Sequence, residues 1–157
     1  MAIVDVNELP HHLKRGERLL GLDLGSKTIG LAISDSSFHI ASPLETIRRT
    51  KFTADAVALE KVIAERQVGG LVLGLPMNMD GSEGPRAQST RQFAANLLAR
   101  RDIPIAFWDE RLSTMAVERV LIEEADMSRA KRGGVVDKMA ASYILQGALD
   151  LIATKAR

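Results

Sequence analysis

The sequence predicts an α/β fold in a single domain, a mixed five-stranded sheet flanked by helices, and three observations predict it. Two short apolar runs sit on either side of Gly25-Ser26-Lys27-Thr28, the pattern of two antiparallel strands joined by a tight turn. Farther along, stretches of helical period alternate with short continuous apolar runs at 71–75 and 103–108, as expected for strands covered on both faces of a parallel sheet. The length of 157 residues, with 46% apolar and 26% charged residues, suits one buried core and lies outside the range of disordered or fibrous chains.

Composition also narrows the function. The formal net charge is +1, so the overall balance does not advertise a polyanion, and any nucleic-acid site must come from local clustering. There is no cysteine, which excludes disulfides, thiolate nucleophiles and Cys-based zinc. No run approaches the ~20 apolar residues of a membrane span, and nothing at the start reads as a signal segment. The expectation is a cytoplasmic protein without membrane contact.

Taken in order, residues 1–17 read as an N-terminal leader on the surface or partly ordered against it, followed by the main domain at 18–157. His11 and His12 are not read as metal ligands, because neighbouring side chains diverge on regular structure and no third ligand is near. The first two strands flank the Gly25 turn. A third extended stretch, 38–48, contains Pro43, which favours a sheet edge. Residues 53–67 change to helical period, with Thr53 as the expected N-cap, Ala54, Val57, Ala58, Val62 and Ile63 as the expected buried stripe, and Gly69-Gly70 as the stop. The strand at 71–75 opens into a polar loop, and a helix is expected from Pro85 to about residue 101. After the strand at 103–108, Ser113 or Thr114 caps a helix to about 124. A basic connection, 126–134, precedes a last helix over 136–153. Its expected stripe is Met139, Ala140, Tyr143, Ile144, Gly147, Ala148, Leu151 and Ile152. Strands followed by alternating helices and strands argue for layered α/β architecture.

Asp23 lies inside the first apolar run, where an unpaired carboxylate is costly unless it is hydrogen-bonded, partnered or bound to a cation. A simple turn-capping acid is the alternative. Glu110 stands just past a strand end, and Asp137 falls in the first turn of the last helix. Functional groups in open α/β sheets gather beyond the carboxyl ends of the parallel strands. Three carboxylates converging there, without Cys or clustered His, match the oxygen-ligand preference of Mg²⁺ or Mn²⁺. The matching chemistry is phosphoester hydrolysis with one metal ion, or with two about 3.5 to 4 Å apart. Each acid also has an ordinary explanation: Asp137 suits a helix N-terminus, Glu110 a pairing with Arg111, and Asp109 a turn.

Four motifs in order, GLDLGSKTIGLA at 21–32, GLPMNMDG at 74–81, DERLST at 109–114 and VDKMAASYILQ at 136–146, closely resemble the YqgF family of pre-16S rRNA nucleases and Holliday-junction-resolvase-like proteins. The resemblance covers about residues 18–150. It implies an RNase H-like fold, a divalent-metal nuclease site with Asp23, Glu110 and Asp137 as catalytic and metal-binding acids, and products with a 5′-phosphate and a 3′-hydroxyl. Broader relatives carry the second acid on the strand beside the first, whereas here Leu75-Pro76 ends that strand and Glu110 ends the next.

The same resemblance directs attention to groups that contact the substrate. Ser26, Lys27 and Thr28 at the hairpin tip offer backbone N–H groups and a cation to a phosphate, Asn78 and the Asp80-Gly81 turn frame the same mouth, and Arg111 is a further candidate for nucleic-acid contact. Arg129, Lys131 and Arg132 read as a flexible basic clamp before Asp137, with Arg48, Arg49 and Lys51 as a second basic patch. Solvated turns and linkers are the plain alternatives. Trp108 reads as core. The leading function is an endonuclease in 5′-end maturation of pre-16S rRNA, with structured RNA or branched DNA as partner and a monomer or weak homodimer as the assembly. Resolution of four-way DNA junctions is the same chemistry on another substrate. A non-catalytic nucleic-acid-binding module is the alternative of another class. A small phosphotransferase would need a second domain that this length does not supply.

Overall fold

The structure, a computed structural model, describes the backbone of residues 3–112 and 129–155 and the side chains of residues 3–111 and 139–154. Five strands form one sheet in the order β3-β2-β1-β4-β5: β1 (Arg18–Leu24), β2 (Thr28–Ser34), β3 (Ala41–Arg48), β4 (Val68–Leu75) and β5 (Ile105–Asp109). The first three are mutually antiparallel, while β4 and β5 run parallel to β1. The mixed sheet expected from the sequence is therefore the one observed. The helices are α1 (Leu9–His12), α2 (Phe52–Glu65), α3 (Pro85–Arg100) and α4 (Arg129–Lys155). No helix among the described residues is long and apolar enough to cross a membrane.

Side chains alternate across each strand, and the two faces of the sheet build two cores. Leu20, Leu22, Leu24, Ile29, Leu31 and Ile33 pack under α2 and α3 with Leu59, Phe93 and Leu97. Leu19, Ala32, Val72 and Ala106 pack under α4 with Ala141, Ile144, Leu145 and Ala148. The hairpin turn is closed by Gly25 N–H donating to the Thr28 carbonyl at 2.9 Å. Pro43 sits on the edge strand β3 opposite Ala32, where the register shifts, so its missing N–H breaks no interior ladder.

Of the two readings of the N-terminal segment, the one that orders it against the domain is observed: Val6 and Leu9 are buried, and Val4 N–H donates to the Ile105 carbonyl at 2.8 Å. Residues 3 and 4 thereby shield the outer edge of β5, which would otherwise present unpaired backbone groups. Helix α2 begins at Phe52 after Lys51, not after a Thr53 cap. Its buried face is Asp55, Ala56, Leu59, Val62 and Ile63, with Val57 exposed. The rotation follows from Asp55, which accepts a hydrogen bond from Thr50 N–H at 3.0 Å and faces Arg49 at 4.0 Å, so this acid turns inward. The stripe of α4 is likewise rotated, to Ala141, Ile144, Leu145, Ala148, Leu149 and Ile152. Its backbone is helical from Arg129, so residues 129–134 of the expected basic connection, Gly133 and Gly134 included, are part of the helix despite the ~1 kcal/mol that each glycine costs there. The helix expected over 113–124 lies outside the described residues.

Candidate active site

The carboxyl ends of β1, β4 and β5 lie side by side, and this edge collects the candidate acids. Asp23 is the penultimate residue of β1. Glu110 follows β5 directly, opening the short helical turn Glu110–Leu112. Strand β4 lies between β1 and β5, so strands at ~4.8 Å spacing leave roughly 10 Å for a side chain to span. Glu110 crosses that gap over Gly74. A Cβ on Gly74 would stand 2.9 Å from both Glu110 Cγ and Glu110 Oε1, and would overlap Ile144 Cδ1. Only a residue without a side chain leaves room there for the glutamate to reach the first strand.

At the end of that reach Glu110 is hydrogen-bonded to Asp23. Burial pushes the Asp23 carboxyl up from its ordinary value of 3.8 to about 8; the hydrogen bond to Glu110 and repulsion from its charge add to the rise, while the Arg86 guanidinium opposes it. Two carboxyl groups this close share a proton because both cannot ionise at low cost. A divalent cation replaces that proton with positive charge, and the oxygen-only donor set fits a hard ion. Among the described residues no third His, Cys, Asp or Glu completes a metal-binding group.

Asp137 belongs to α4, and its side chain lies outside the described residues. The path of α4 nevertheless places its backbone. The Ala141 carbonyl is 3.0 Å from where a Cβ on Gly21 would stand, whereas Ile152 lies beside Phe38 near the opposite end of the sheet. The helix therefore starts at the carboxyl end of β1, and residue 137 precedes Ala141 by one turn, about 5.4 Å along the axis.

The other sequence candidates divide by what holds them. Ser26 and Lys27 are exposed at the hairpin tip, and Arg49 N–H donates to the Lys27 carbonyl at 2.8 Å, while Thr28 begins β2. Asn78 braces its own loop: its Nδ2 donates to Ser82 Oγ at 3.0 Å, and Gly81 N–H donates to its carbonyl at 2.9 Å. Arg111 grips Asp109, with Nε donating at 2.9 Å to Oδ2, and its Nη1 donates to the carbonyls of Asn78 and Met79 at 3.4 and 3.3 Å. Asp109 is thus a turn acid held below the usual carboxylate range by the Arg111 hydrogen bond. Arg129, Lys131 and Arg132 lie in the first turns of α4, their side chains outside the described residues. Trp108 packs against the α4 core, its ring 2.7 Å from where a Cβ on Gly147 would stand.

Sequence reasoning missed Gly74 and Arg86. A glycine inside an apolar strand signals close approach of another group, which was the available sign for Gly74. Arg86 follows Pro85 in the first turn of α3 and carries no periodic signal.

The chain is similar to known proteins in sequence and in fold. The family described as RuvX, Holliday junction resolvase, matches residues 17–151. The chain is 66% identical over 150 residues to a protein of Paramagnetospirillum magneticum named "Putative pre-16S rRNA nuclease", covering 96% of each chain. It is 62% identical to a protein of Phenylobacterium zucineum with the same name, covering 96% of this chain and 97% of that one. Among solved structures, RuvC of T. thermophilus in complex with a Holliday junction substrate matches with a TM-score of 0.56 at 12% identity, over 88% of this chain and 97% of that chain. At that identity the likeness establishes the fold.

Proposed function

The chain belongs to the RuvX family, and from that membership we infer a divalent-metal-dependent nuclease that hydrolyses phosphodiesters in nucleic acid, acting in 5′-end maturation of pre-16S rRNA. The observation that carries the reading is the Asp23–Glu110 pair, assembled over Gly74 at the carboxyl ends of three parallel strands. The names of the relatives at 62% and 66% identity supply the RNA substrate.

In this reading Asp23 and Glu110 hold Mg²⁺ or Mn²⁺, with Asp137 as the third acid. The ion, when bound, supplies Lewis-acid polarisation of the phosphate and a water acidic enough to attack near neutral pH. The chain's own part is placement. Asp23 is fixed by a central strand with neighbours on both sides, and Glu110 is fixed by the groove over Gly74, which gives the rigidity that a reactive geometry requires. Ser26, Lys27 and Thr28 face the substrate backbone from the hairpin. Arg111 acts by holding the Asn78 loop at the mouth, and Arg129, Lys131 and Arg132 add positive charge from the start of α4.

The test offers purified protein a precursor 16S rRNA fragment and a synthetic four-way DNA junction in parallel, with Mg²⁺, Mn²⁺ or chelator. Metal-dependent cleavage of the RNA that disappears in Asp23→Asn and Glu110→Gln is the expected result. Cleavage of the junction alone would transfer the same chemistry to DNA resolution, and cleavage retained in both variants would remove the assignment of the acids.

A further inference from the structure

A cavity opens around the end of β1 from the acid pair. It has a volume of about 170 Å³ and is walled by Leu24, Gly25 and Ser26 on one side and by Arg49, Arg86 and Phe93 on the others. Because successive residues of a strand face opposite ways, Asp23 looks toward the α4 layer while Leu24 packs in the core under α2 and α3. The two sites therefore lie on either side of one strand end. Gly25 is two residues beyond Asp23, about 7 Å of extended chain.

Arg49 is held in place by several contacts, and Arg86 stands exposed beside it. Arg49 Nη1 donates to the Gly25 carbonyl at 2.6 Å, its Nε faces Asp55 at 4.0 Å, and its guanidinium lies 5.7 Å from the centre of the Phe93 ring. Arg86 Nη2 approaches the Leu24 carbonyl at 3.5 Å, and its charge is felt at Asp23. A guanidinium carries five N–H donors in a planar fork, so these contacts leave most of each fork available. Both guanidiniums line the same cavity, and arginine takes up phosphate oxygens through paired charge-assisted hydrogen bonds. The volume exceeds the ~30 Å³ share of a water molecule several times and falls below the roughly 300 Å³ at which pockets for whole small molecules begin. That size accommodates a phosphate group.

We propose that the cavity formed by Arg49, Arg86 and the Gly25-Ser26 turn binds a backbone phosphate next to the one that is cut, fixing the register of the strand over the acid pair. The proposal rests on the nuclease reading for the identity of its ligand. It adds a phosphate subsite, and it gives Arg86 and Arg49 the role of positioning residues.

The experiment measures binding of a 5′-fluorescein-labelled single-stranded 20-mer RNA by anisotropy in EDTA, across a series of salt concentrations. One lost phosphate contact lowers the slope of log K against log salt by about 0.7 on a single strand. Arg86→Gln, with an unchanged melting temperature, is expected to show that drop in slope and about tenfold weaker binding, the scale of one charge-assisted contact. Arg49→Lys keeps a cation beside Asp55 but removes the fork, and is expected to weaken binding severalfold with little change in slope. A methylphosphonate linkage scanned along the RNA is expected to weaken wild type at one position next to the cleavage site, and to leave Arg86→Gln unaffected there. Equal affinity and slope for wild type and Arg86→Gln would overturn the proposal even if Asp23-dependent cleavage is observed. A changed slope in Arg86→Gln without cleavage of any substrate by wild type would keep the subsite and end the nuclease reading.

Discussion

Glu110 hydrogen-bonds Asp23 from two strands away, passing over Gly74 to do so. The second acid need not stand on the strand beside the first if that strand offers a glycine at the crossing point. The shift of the acid to the end of β5 and the glycine in β4 are thus one device, and it fixes several measurable properties.

Stability in the absence of metal should fall as pH rises. Asp23 has its folded-state value raised from 3.8 to about 8, so between these values the folded chain keeps a proton that the unfolded chain has released. Its contribution to stability is complete below about pH 4 and is lost as pH climbs through 8. Melting curves in EDTA from pH 5 to about 9 should show wild type declining relative to Asp23→Asn, which keeps a hydrogen-bonding amide and carries no charge. Parallel curves for the two proteins would contradict the raised value.

Cation binding should release protons and tighten with pH. Replacing the proton of Asp23 by Mn²⁺ or Mg²⁺ couples the two equilibria, so affinity measured by calorimetry should increase from pH 6 to about 8 and then level off. Titrations in two buffers of different ionisation enthalpy should give different apparent heats. Identical heats in both buffers would mean that the ion binds elsewhere.

Gly74→Ala should damage both fold and site. The new methyl meets Glu110 Cγ and Oε1 at 2.9 Å and collides with Ile144, and overpacking of this kind costs about 1–3 kcal/mol. Denaturant unfolding should report that loss. Cleavage by the fraction that remains folded should fall by at least tenfold, because Glu110 is displaced from Asp23. A stable variant with full cleavage would show that the crossing is dispensable.

Arg111→Gln should loosen the loop after β4 while leaving the sheet intact. Its guanidinium joins Asp109 to the carbonyls of Asn78 and Met79, and no other described side chain makes that connection. Hydrogen exchange is expected to quicken at residues 78–82 and to stay unchanged in β1 and β4. Unchanged exchange at the loop would assign its order to the internal Asn78–Ser82 contacts alone.

Much of this was legible in the residues. The two short apolar runs and the Gly25 turn specified β1 and β2, Pro43 marked β3 as an edge, and Pro85 opened α3, because turn chemistry and proline's backbone constraint act locally. Asp23 stood out for the same reason, as a charge in a run that must be buried. The faces of α2 and α4 were less legible. Both helices are rich in alanine, which suits either side, and the rotation of α2 is set by Asp55 turning toward Arg49 and Thr50.

The sequence by itself determined the order of the five strands, the mixed sheet and the prominence of Asp23, since these follow from hydrophobic runs, turn chemistry and the cost of a buried charge, while the family resemblance named Glu110 and Asp137 as candidates beside it. Tertiary structure alone decided that Glu110 and Asp23 touch, that Gly74 is the opening between them, and that Arg49 and Arg86 close one cavity. Those relations join residues 36 to 87 positions apart, and contacts of that separation arise only when strands and helices pack in three dimensions.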